Sequence, residues 1–281
     1  MAIRYVILDF DGTCTQIEKI QERFIENYRF GVGAKADDWD RALKTVRKAA
    51  PTAGWTLFDA PSTAPANADP YILTFEAARL LQREGAIGAI DPMLFGKAYA
   101  LNQAPFRPEL VEVLVGLLKK KINVAFVSNS STDKVSARLD ELMVKHAAER
   151  KKIHVIGNAA KMMVGELPLG STVGDDARAK FEALAPSIAV KGVNRPIYQR
   201  RASYMKAICD VFTEYKATGF PIDELLVCGD IWELDLAMPK ALGAHVHLIT
   251  RSKPFDTNKY ELAQMGKGES SPNLKALLKR V

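Results

Sequence analysis

The sequence has no apolar run approaching the eighteen or so residues needed to cross a bilayer. Met1-Ala2-Ile3-Arg4 leads straight into an apolar stretch and not into a charged region followed by a cleavage site. A cytoplasmic, soluble protein without membrane association is the expectation. Cysteine is scarce: Cys14, Cys209 and Cys228 are odd in number and far apart, which excludes a disulfide framework and a CxxC metal knuckle. No internal repeat, low-complexity tract or long block of like charge is present. The net charge of +6 is spread along the chain, so it biases the protein toward an anionic small molecule and gives no reason to expect nucleic acid.

With 281 residues, 48% of them hydrophobic, the chain can bury a large core. Short apolar runs occur at Arg4 to Leu8, Ile122 to Val127, Ile153 to Ile156, Leu225 to Cys228 and His245 to Ile249, and read as strands buried on both faces. Helical patterns lie between them at Glu109 to Lys120, Asp133 to His146, Ser203 to Lys216 and Leu234 to Leu242. That alternation predicts an α/β fold, a Rossmann-like parallel sheet with helices on both faces. From about Gln16 to Asn102 the pattern is purely helical, at Ile17 to Tyr28, Asp38 to Ala49, Pro70 to Glu84 and Pro92 to Leu101. This predicts two domains: an α/β core from 1–15 and 105–281, and an α-helical cap from 16–104. Pro51, Pro61, Pro65 and Pro70 mark a loop between cap helices, and residues 157–186 read as a small irregular insertion.

The strand Val6-Ile7-Leu8 runs into Asp9-Phe10-Asp11-Gly12-Thr13. In a parallel sheet the carboxyl ends of the strands form the ligand crevice, so Asp9 and Asp11 face a substrate. One carboxylate can attack phosphorus while the other moves the proton of the leaving oxygen. Val124-Ala125-Phe126-Val127 leads to Ser128-Asn129-Ser130, a hydroxyl and amides at a helix start suited to phosphate, although Ser128 is equally a helix cap. Leu225-Leu226-Val227-Cys228-Gly229-Asp230 ends a further strand, with Asp235 five residues on.

These segments resemble the first, second and fourth motifs of the haloacid-dehalogenase superfamily. The resemblance implies a magnesium-dependent phosphatase that acts on a small phosphorylated metabolite, works as a monomer or homodimer, and forms an aspartyl-phosphate on Asp9. It makes Asp11 the acid and base, Ser128 and Asn129 phosphate-binding residues, and Asp9, Asp11 (through its carbonyl), Asp230 and Asp235 the Mg2+ site, with Glu233 as a substitute for Asp235. The family's third-motif lysine has no clear counterpart. Arg201, at a helix start before the Leu225 strand, is the first choice, followed by Lys191 and Arg200, with Lys206 or a cap lysine behind them. Alternatives within the superfamily are a dehalogenase, which lacks the second acid, a phosphomutase, and a phosphonatase using Lys19, Lys35, Lys44, Lys48 or Lys97. A catalytically silent binding or regulatory protein is the alternative outside enzymes. Cys14 reads as packing, and His245 and His247 as ordinary strand residues.

Overall fold

The computed structural model describes residues 2–55 and 63–281; Met1 and the middle of the proline-rich 51–70 stretch lie outside them. Strand β1 (Tyr5–Leu8) opens the chain and is buried along its whole length. A helical block follows. Its first helical pattern is a short 3-10 turn at Ile17–Lys19 and then α1 (Gln21–Val32), which ends at Gly33 with φ 67. Helix α2 (Ala36–Ala49) buries Trp39, Ala42, Leu43 and Val46, the spacing of one helical face. Helix α3 (Pro70–Arg83) starts sharply because Asp69 accepts a hydrogen bond from the Ile72 amide and Pro70 occupies the first turn. Helix α4 (Leu94–Leu101) closes the block.

The chain then returns to the sheet through an antiparallel bridge between Thr15 and Phe106. Helix α5 (Leu110–Lys119), β2 (Asn123–Val127), α6 (Thr132–Leu142), α7 (Ala147–Arg150) and β3 (His154–Ile156) follow in order. The stretch read as irregular contains α8 (Asp175–Glu182), and a two-stranded antiparallel ribbon of β4 (Ser187–Ile188) and β5 (Ile197–Tyr198) comes after it. Then come α9 (Ala202–Glu214), β6 (Leu225–Gly229), α10 (Ala237–Leu242), β7 (His245–Ile249), α11 (Lys259–Leu262) and β8 (Ser270–Ser271). Six strands form one parallel sheet in the order β3-β2-β1-β6-β7-β8. No helix among the described residues is long and apolar enough to cross a membrane.

Alternation along the central strands divides the core into two layers. Tyr5 and Ile7 of β1, with Leu225 and Val227 of β6, face one layer with α9. Val6 and Leu8, with Leu226 and Cys228, face the other with α5 and α6. The helical block has its own core around Phe24, Trp39, Leu73 and Leu81. Ala64, Ala68 and Ile72 from this block pack against Ile231 and Leu234, just beyond the carboxyl end of β6. The segment before α3 and the start of α3 thereby pack over the carboxyl end of β6.

Candidate active site

Asp9 follows the last residue of β1, and its amide still bonds to the Cys228 carbonyl at 2.9 Å. The chain then turns: Arg107 donates to the carbonyls of Gly12 and Thr13, and Gly12 takes φ 81. On the neighbouring strand, β6 delivers Asp230. Five residues later a π-helical turn at Trp232–Leu236, where a regular helix was expected, carries Asp235 back toward the strand ends. Asp235 Oδ2 accepts from the Ile231 amide at 3.1 Å, which fixes that direction. Carboxylate oxygens of Asp9, Asp230 and Asp235 all lie within 4.8 Å of one another.

The cation among these acids is Lys161. Its Nζ lies 2.5 Å from Asp9 Oδ1 and 2.6 Å from Asp235 Oδ1, and the residue is only 1% exposed. The third-motif expectation is therefore corrected. Arg201 is fully buried, but its guanidinium donates to the carbonyls of Tyr198, Lys161 and Thr63, and so it braces the lysine's backbone instead of facing the acids. Lys191 is exposed and lines a separate surface cleft with Pro51 and Asn258. Arg200 pairs with Glu166 and the carbonyls of Leu184 and Glu182, and Lys206 pairs with Asp210. The five candidate lysines of the helical block, Lys19, Lys35, Lys44, Lys48 and Lys97, are all exposed.

The loop that carries Lys161 is stitched to the end of β2. The amides of Asn158 and Ala159 donate to the carbonyls of Ser130 and Ser128, and Asn129 Oδ1 accepts from the Lys161 amide at 2.8 Å. Asn129, expected at the phosphate, thus positions the lysine. Ser128 is buried and its Oγ accepts from the Ser130 amide at 3.1 Å, which leaves the hydroxyl proton available. Glu233 cannot stand in for Asp235, because it forms a two-pronged pair with Arg195 at 2.6 and 2.7 Å and also accepts from the Tyr260 hydroxyl.

Asp11 has different company. Its oxygens accept from the Tyr99 hydroxyl at 2.9 and 3.0 Å, and Oδ2 also accepts from Ser130 Oγ at 3.0 Å. Burial raises its pKa above the ordinary carboxylate value against these bonds. Burial likewise pushes Asp9 up to about 7 against the pull of Lys161, with the charge of Asp235 adding to the rise. Burial alone would favour the neutral form of Lys161, but the flanking carboxylates reverse that and hold it protonated. Cys14 and Cys228 are buried thiols whose pKa burial raises, in keeping with packing. His245 is exposed, whereas His247 is buried against Ser271 and held neutral.

A divalent cation fits this donor set. All three acids offer oxygen, the ligand preferred by hard cations. When all three are ionised, three carboxylates against one ammonium leave two negative charges. Asp230 Oδ2 is moreover buried without a hydrogen-bond partner among the described residues, a costly state that a cation would relieve. Gly12 makes room for that oxygen, since a Cβ there would lie 2.5 Å from it. Gly12→Ala is expected to cost roughly 1–3 kcal/mol through its positive φ. It should also largely remove the rise in melting temperature that a divalent cation gives the wild-type protein. A full cation-induced rise in the variant would show that Asp230 is not a ligand.

No family model and no curated protein matches the sequence. Solved structures do match the fold. One is a chain described as a HAD-hydrolase, YfnB from Bacillus subtilis, bound to magnesium; it is 10% identical, with 99% of this chain and 98% of that one covered and a TM-score of 0.52. Another, described as a dehalogenase, is 15% identical over 99% and 97% of the two chains at a TM-score of 0.50. A third, described as a phosphatase from Clostridium difficile, is 12% identical over 99% and 98% at a TM-score of 0.50. With its six-stranded parallel sheet, the acids at the strand ends and the helices inserted after β1, the chain has the fold of the haloacid-dehalogenase superfamily.

Proposed function

We propose that this protein is a magnesium-dependent phosphatase that hydrolyses a small phosphate monoester through an aspartyl-phosphate on Asp9. The observation that carries the reading is the division of labour between two carboxylates two residues apart. Asp9 is bonded to the ammonium of Lys161, whereas the hydrogen-bond partners of Asp11 are the neutral hydroxyls of Tyr99 and Ser130. Paired environments of this kind separate a nucleophile from a proton donor.

In the first step an Asp9 oxygen forms a bond to phosphorus as the bond to the leaving oxygen breaks, and Asp11 gives that oxygen its proton. In the second, Asp11 takes a proton from water, the water oxygen bonds to phosphorus, and phosphate leaves as Asp9 is restored. Lys161 offsets charge on Asp9 and the phosphoryl oxygens, and Ser128 offers its hydroxyl proton to the phosphate. Asp9, Asp230, Asp235 and, by the family resemblance, the Asp11 carbonyl would hold magnesium, which would neutralise and orient the phosphate when bound. Residues 16–104 act as a cap that excludes water and restricts the site to a small substrate.

Asp11 also argues against dehalogenation, since a departing halide needs no proton. The test is phosphate release from a panel of phosphate monoesters with magnesium and with excess chelator. Asp11→Asn should lower the rate on an alkyl phosphate by on the order of a hundredfold to ten-thousandfold. In the first turnover it should slow release of p-nitrophenol far less, because that leaving group needs no proton, while the later opening of the aspartyl-phosphate, which also uses Asp11, slows alike for both esters. Equal loss on both esters in the first turnover would remove Asp11 as the acid, and full activity in chelator would reject the magnesium-dependent reading.

A further inference from the structure

The cap places a second tyrosine beside the one that touches Asp11. Tyr71, at the start of α3, lies with its ring centroid 5.6 Å from that of Tyr99. Phe24 meets Tyr71 edge-on at 4.7 Å, and Phe95 packs on Tyr71 and Tyr99 at 6.0 and 6.2 Å, so the two phenols are held in a fixed aromatic frame. Tyr71 is only 7% exposed, yet its hydroxyl has no hydrogen-bond partner among the described residues. Buried hydroxyls are nearly always bonded, so one left open next to a reaction site marks the position of a missing group. Tyr99 is in a complementary state: its hydroxyl occupies both Asp11 oxygens, the place from which the leaving oxygen must receive its proton. A substrate that takes its proton from Asp11 therefore displaces Tyr99 from at least one of these oxygens.

Resting on the phosphatase reading, we infer that Tyr71 and Tyr99 form the subsite for the leaving alcohol, and that this alcohol carries a second hydroxyl on a neighbouring carbon. Tyr99 takes the ester end of the alcohol as Asp11 is released. Tyr71 binds the second hydroxyl. Both phenols are neutral, since burial raises them above their ordinary value. A phenol hydroxyl only donates to a carboxylate and only accepts from an ammonium, but it both donates to and accepts from a hydroxyl.

The experiment compares ethylene glycol monophosphate with ethyl phosphate, which differ only by that hydroxyl, and uses p-nitrophenyl phosphate as a reference. Wild-type protein should favour the glycol ester about tenfold in kcat/KM, and Tyr71→Phe should bring the ratio close to one. The melting temperature of Tyr71→Phe should be no lower than that of wild type, because the change removes a buried hydroxyl that has no partner among the described residues. Turnover of p-nitrophenyl phosphate without a preference for the glycol ester in the wild type, or a preference that survives in Tyr71→Phe, rejects the subsite alone. If wild type releases phosphate from none of the three esters with magnesium present, the phosphatase reading fails and the subsite falls with it.

Discussion

Asp9→Asn should remove turnover by roughly four to six orders of magnitude while the protein stays folded. The amide is no nucleophile toward phosphorus, and it cannot form an acyl phosphate that water will open. It fills the same volume, however, and its oxygen can still accept from Lys161, whose second bond to Asp235 is untouched. Its nitrogen loses the acceptor role that Asp9 Oδ2 plays for Thr13, but Thr13 retains Asp230 Oδ1 at 3.0 Å. Two measurements check this together: steady-state phosphate release, and acid-quenched labelling with a radiolabelled ester, in which wild type retains label and the variant does not. Activity above a hundredth of wild type would move the nucleophile elsewhere.

The acids were legible because they sit where short apolar strands stop. Buried parallel strands need continuous apolar residues, so the ends of β1 and β6 are visible as abrupt changes to Asp9 and Asp230. The helices of the insertion were legible for a related reason, since one apolar face per helix leaves a period in the sequence. Lys161 had no such mark. It lies in a loop after β3 where Asn158 and Ala160 adopt positive φ, so neither period nor propensity singles it out. The signal available was topological: β3 pairs with β2 in parallel, and whatever follows Ile156 must emerge at the same edge as Ser128. Choosing among cations by their order before the last strand led instead to Arg201, which supports the lysine from behind.

Glu233 and Asp235 could not be separated by sequence either. Both are acids near one helix start. The π-helical turn aims Asp235 at the Ile231 amide and Lys161, while Glu233 meets Arg195 and Tyr260. Such a turn has no reliable local signature, because it depends on what packs around it. Tyr99 was hidden for another reason. It reads as one more apolar residue on a cap helix, and its contact with Asp11 spans 88 residues of chain.

Replacing Lys161 by Met should abolish activity and, unlike the loss of a surface cation, destabilise the fold in a pH-dependent way. The ammonium is buried between two carboxylates, so its removal leaves charge unpaired in the interior, at a cost of about 3–5 kcal/mol near pH 8 without divalent cation. Burial and Asp235 already push Asp9 up to about 7, and Lys161 is the influence opposing them. Without it the pKa climbs further. A carboxyl whose folded pKa exceeds its unfolded value of about 4 binds its proton more tightly when folded. That contribution is complete below the unfolded pKa and is lost as pH rises through the folded one. The variant's deficit relative to wild type should therefore be greatest near pH 8 and shrink near pH 5, where the carboxyls can take up protons and become neutral. Urea unfolding of both proteins at the two pH values, in chelator, reads this directly. An equal deficit at both would mean that Lys161 serves as packing and that its charge does not matter. Lys191→Met, at an exposed position, should change neither stability nor rate measurably.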